Sequence, residues 1–149
     1  MAAAFVAAGE DIERAVAGLD AEALWARPGG IAAVGFHLAH LAGSTDRLLT
    51  YARGEALSQA QRDQLVRERA VTETRPALEE LVADLKTSLT RAMAELAAVD
   101  PAILLEPRAV GRMPAASTVI GLLFHTAEHA ARHAGQVVTT AKLVRAGCR

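Results

Sequence analysis

The chain has 149 residues, of which 52% are apolar but only 3% aromatic, and its 17 acidic against 16 basic side chains leave a formal charge of −1. That length fits one domain over residues 1–149, with a core built mostly from Ala, Leu and Val, and the near-neutral balance offers no electrostatic footprint for nucleic acid. The lone Cys148 supports no disulfide framework and suits a reducing cytoplasm, and no apolar run approaches the roughly 18 residues needed to cross a bilayer.

Alanine and leucine lead the helix propensities and little of the sequence alternates with period two, so the expected class is all-α. The opening MAAAFVAAGEDIERA has no basic residues before its apolar run and meets acids at once. It reads as the start of a helix, not as a signal peptide. This first helix is predicted from about Ala3 to Leu19, with Phe5, Ile12, Val16 and Leu19 apolar, and a short helical turn is expected at DAEALW. RPGG then breaks the chain.

The second long helix is predicted from Ile31 to Arg53, with positions 31, 34, 38, 41, 45, 48 and 52 forming a seam stepped by three and four. Residues 54–75 are polar and charged, with a surface helix expected around Gln59 to Arg69. The third long helix starts near Pro76 and runs to about Val99, with Leu78, Leu81, Leu85, Leu89, Met93 and Leu96 on one stripe. DPAILLEPRAVGRMPAAS reads as a Pro- and Gly-punctuated connection. Ser117 or a neighbour caps the fourth long helix, which continues to about Ala146 and stops at Gly147. Four long amphipathic helices in one small domain predict a four-helix bundle.

All five histidines lie on two of these helices, His37 and His40 on the second and His125, His129 and His133 on the fourth. At about 100° per residue the latter three span only about 80° of helix surface, beside an apolar sector of Ile120, Leu123, Ala127, Ala130, Ala134, Val137, Ala141 and Val144. Around His37 and His40 the second helix is apolar or small on every side, which predicts that both are buried. Buried imidazoles need partners, and a metal satisfies several at once. His125 and His133 are about 12 Å apart along the axis and cannot share one ion. The pair is therefore 125/129 or 129/133, completed by a histidine of the second helix. Three histidines leave a fourth position open, as in catalytic zinc sites, whereas a fourth protein ligand such as His37 would point to a closed binding site. The bland alternative is a set of hydrogen-bonded core histidines. HTAEH also matches the inverted zinc-protease pattern, but Glu128 lies about 100° round the helix from His129, which argues against a peptidase.

VGFHLAHLAGSTDRLL on the second long helix and HTAEHAARHAGQ on the fourth resemble the motifs of the DinB/YfiT-like metalloenzyme superfamily, over nearly the full length. In that family one histidine of helix 2 joins an HxxxH pair of the last helix to bind a divalent metal. The resemblance implies His40, directly before LAGSTD, with His129 and His133 as ligands. His37, His125 and Gln136 are then expected in the second shell or on the cavity wall. The long 54–75 connection allows an up-down-down-up order with the second and fourth helices antiparallel, which also favours 129/133. The resemblance further implies zinc or nickel, with manganese or iron next. It implies a small-molecule substrate as well, with a low-molecular-weight thiol serving an S-transferase or isomerase. A non-catalytic metal or small-ligand binding bundle is the alternative, and a homodimer a further expectation.

Overall fold

The computed structural model describes residues 1–148, with the backbone alone at Ala115. Four long helices dominate it: α1 (Ala2–Val16), α3 (Val34–Ala52), α6 (Leu78–Ala98) and α7 (Val119–Arg145). Three short helices join them, α2 (Ala21–Trp25), α4 (Gln59–Arg69) and α5 (Val71–Thr74). α1 and α3 each pack against both α6 and α7, so every long helix has two neighbours among the other three. Phe5 and Ile12 of α1, Leu38 and Leu41 of α3, Leu85 of α6 and Val137 of α7 meet in one core. Each such side chain contributes roughly 1.5–3 kcal/mol when fully buried. Ala127, Ala130 and Ala134 of α7 are buried in the same core, and α3 packs against α7 closely enough for their histidines to meet.

Local chemistry moves several helix starts inward from where periodicity predicts them. Pro28–Gly30 forms a single 3₁₀ turn with Gly29 and Gly30 at positive φ. The chain stays extended as far as Ala33, so α3 starts at Val34 and not Ile31. Ala77 is likewise extended, and α6 begins at Leu78. The surface helix over Gln59–Arg69 is present with those bounds, because Ser58 and Gln61 make a reciprocal capping box. Thr118 caps α7 by accepting from the Gly121 amide at 3.1 Å.

One segment departs from the all-helical expectation. Within the predicted connection, β1 (Pro107–Val110) and β2 (Met113–Thr118) form an antiparallel hairpin, turning at Gly111 with φ 60°. Arg108 Nε donates to the Ala52 carbonyl at 2.9 Å, so a guanidinium closes the C-terminal end of α3. No helix among the described residues is long and apolar enough to cross a membrane.

Candidate metal centre

The α3 seam faces α7, and His37 and His40 flank it one turn apart. His37 Nδ1 lies 3.1 Å from His133 Nδ1, and His40 Nε2 lies 3.1 Å from His129 Nε2. As the number rises on α3 it falls on α7, so the two helices are antiparallel where they meet. One ring nitrogen each from His40, His129 and His133 lie within 4.8 Å of one another, and these three form a group that could hold a metal ion.

The other predicted residues surround this cluster. His37 is buried and touches it only through His133. His125 is half exposed, its ring centre 5.7 Å from that of His129, and its Nδ1 lies 3.6 Å from Glu128. Gln136 is exposed and shares with His37, Arg132 and Thr140 the wall of an open cavity of about 530 Å³. His40 is not buried as predicted. A quarter of its side chain is exposed, because it stands at the edge of the seam, where Phe36 stacks parallel to it at 5.7 Å.

The sequence gives no warning of Glu68. Its helix, α4, has no apolar stripe and reads as solvated, yet Glu68 is its one buried residue. Glu68 Oε1 lies 2.7 Å from His40 Nδ1, and Oε2 accepts from Arg47 Nη1 at 2.8 Å. Gly43 makes room for this contact. A Cβ there would stand 2.7 Å from Glu68 Oε2 and 2.8 Å from Arg47 Nη1. The spacing His40, Gly43, Arg47 thus places a ligand candidate, a gap and a cation on one face of α3, at steps of three and four. Burial alone would raise the Glu68 carboxyl, but the hydrogen bonds from His40 and Arg47 outweigh it and hold it below the usual carboxylate range.

The donor set fits a divalent ion. Burial first, and then the neighbouring imidazoles, push His129 down to about 4 and His133 to about 3. Both are therefore neutral near pH 7, the state a metal needs. An ionised Glu68 can only accept, so His40 donates from Nδ1, the tautomer whose Nε2 can accept from His129 Nε2. His129 Nδ1 is then left bare, buried and without a partner. Such an orphan costs roughly 1–3 kcal/mol. The 3.1 Å gap between His40 and His129 nitrogens is also close to the edge of a tetrahedron with 2.0–2.1 Å bonds, about 3.3 Å.

No curated protein matches the chain. A family model described as the DinB superfamily matches residues 4–137, a span that holds all of α3, α7 as far as Val137 and all three clustered imidazoles. With that match over most of its length, the chain belongs to the DinB superfamily.

Proposed function

We propose that the protein is a divalent-metal-dependent enzyme whose ion is held by His40, His129 and His133 in a bundle wound up-down-down-up. The observation that carries this reading is the convergence of three imidazoles from two antiparallel helices, one of them backed by a buried carboxylate. His40, His129 and His133 would hold a zinc or nickel ion, which would supply Lewis acidity toward a thiol or a water at neutral pH. The chain's own residues prepare for this. Glu68 keeps the His40 proton on Nδ1, so that Nε2 stays available. His129 must move its proton from Nε2 to the empty Nδ1 before Nε2 can act as a ligand. His37 holds His133 from the far side and is not a fourth member of the cluster, which favours an open site over a closed one.

The reaction class that suits such a site is attack of a low-molecular-weight thiol, or of water, on a small electrophile, as in an S-transferase or isomerase of the cytoplasm. Homodimerisation belongs to the same proposal. The test is elemental analysis of protein purified and loaded with zinc, nickel or manganese, beside His40→Ala. Close to one ion per chain in the wild type and loss of it in the variant are expected. A wild type without bound metal would sink the reading. Thiol consumption by the loaded protein, absent in His40→Ala, then separates an enzyme from a metal-binding bundle.

A further inference from the structure

Glu68 is the only buried residue of α4, and together with the partly buried Gln61, whose Nε2 donates to Asp46 and Thr50 of α3 at 2.6 Å each, it holds this charged helix on the body of the protein. Among the described residues that carboxylate has two partners, His40 and Arg47, both on α3. We infer that Glu68 is the positioning residue of the metal centre, and that α4 is docked through it so that metal occupancy and α4 order stabilise each other.

The inference rests on the metal reading above and follows from the two faces of one ring. His40 Nδ1 meets Glu68 while Nε2 faces the cluster. A ligand bond at Nε2 requires the proton at Nδ1, which is the tautomer Glu68 accepts from. An ion therefore locks the Glu68 hydrogen bond, and a docked Glu68 presents Nε2 with its lone pair free. Linkage makes the two effects equal in size. Arg47 holds the other carboxylate oxygen and so fixes the rotation of the group. Gly43 supplies the space: with no side chain there, the carboxylate reaches both partners.

Three substitutions probe this arrangement. Glu68→Gln keeps the shape, but its amide cannot accept from His40 and Arg47 at once, because one end is an N–H donor. Gly43→Ala leaves both partners in place and drives a Cβ against them, while making the helix intrinsically more favourable. The atoms that Cβ meets are the ends of two flexible side chains, which shift at little cost to folding, so weaker zinc binding in Gly43→Ala reports the displaced carboxylate. Glu73→Gln, at an exposed acid of α5, is the control.

Zinc dissociation constants are measured on the full chain by chelator competition, and amide exchange across residues 59–69 is followed with and without zinc. In the wild type zinc slows α4 exchange. Glu68→Gln and Gly43→Ala bind zinc 10–100-fold more weakly, and their α4 exchange responds less to it. Glu73→Gln behaves as the wild type. The inference is overturned if both variants bind zinc as tightly as the wild type, or if zinc leaves wild-type α4 exchange unchanged. A wild type that binds none of zinc, nickel or manganese overturns the metal reading and the linkage with it, whereas equal binding by the variants overturns the linkage alone.

Discussion

Replacing His129 and His125 separately, each by alanine, tests the cluster and then its pair, because His129 belongs to both possible pairs on α7 and His125 to only one of them. His129 sits inside the cluster, 3.1 Å from His40, whereas His125 is half exposed and outside it. In the metal-free protein neither change should cost much. His129→Ala loses part of a ring's packing but also removes an orphaned buried nitrogen, so the two effects offset to within about 1 kcal/mol. The metal-loaded protein behaves differently. At a free metal concentration 100-fold above the dissociation constant, binding stabilises the native state by about 2.7 kcal/mol. In a domain of this size that raises Tm by roughly 5–11 °C. Scanning calorimetry with and without zinc or nickel should show such a rise in the wild type and in His125→Ala. His129→Ala retains two of three ligands, and its rise should fall below about 2 °C at the same concentration. An equal rise in His129→Ala and the wild type, or any loss of the rise in His125→Ala, would refute the assignment of 129/133.

The metal-free protein should lose stability as the pH falls. His129 and His133 are pushed down to about 4 and about 3 from the 6.5 of a free imidazole, by burial and then by their neighbours. Below about pH 6.5 the unfolded chain takes up protons that the native state refuses, so stability is complete above that pH and declines down to about pH 3–4. Discounted for solvent screening, the loss should be about 1–3 kcal/mol in urea titrations, and a flat profile would show that the rings are not held neutral. Gly35→Ala should destabilise by about 1–3 kcal/mol, because its Cβ would stand 2.6–2.9 Å from three atoms of the buried Trp25 indole. Chemical denaturation measures this directly, and an unchanged midpoint would mean that the indole moves freely.

Much of this was legible in the residues because it is periodic or capped. The α3 seam, the Leu stripe of α6 and the small apolar face of α7 each repeat every three or four residues; the first and last are buried along most of their length, and the α6 stripe is buried at Leu81, Leu85 and Leu89. The ends of that α7 face depart from it. Ile120 is exposed, and Val144 is only partly buried. The hairpin escaped notice because its strands span only four and six residues and contain Pro107 and Pro114, so neither alternates long enough to read as a strand. Glu68 escaped for a different reason. Its burial is set by partners 21 and 28 residues away on another helix, and nothing in QAQRDQLVRER marks one acid from another. His40 and His37 are distinguishable only in three dimensions. By periodicity His37 belongs nearer the seam, and it is indeed the more buried of the two, yet the cluster takes its member from the seam's edge.

The descending pairing of α3 with α7, His37 with His133 and His40 with His129, makes the site sensitive to chain length as well as to residue identity. One residue inserted between His37 and His40 would turn His40 by about 100° about its axis and slide it about 1.5 Å, away from both His129 and Glu68. A seven-residue insertion would restore its face to within about 20° but displace it by about 10 Å, out of level with His129 and His133. Insertions and deletions in α3 or α7 are therefore excluded near the histidines, while the exposed Gly111–Arg112 turn of the hairpin, at the far end of α3, is where added length or an attached label leaves this register intact.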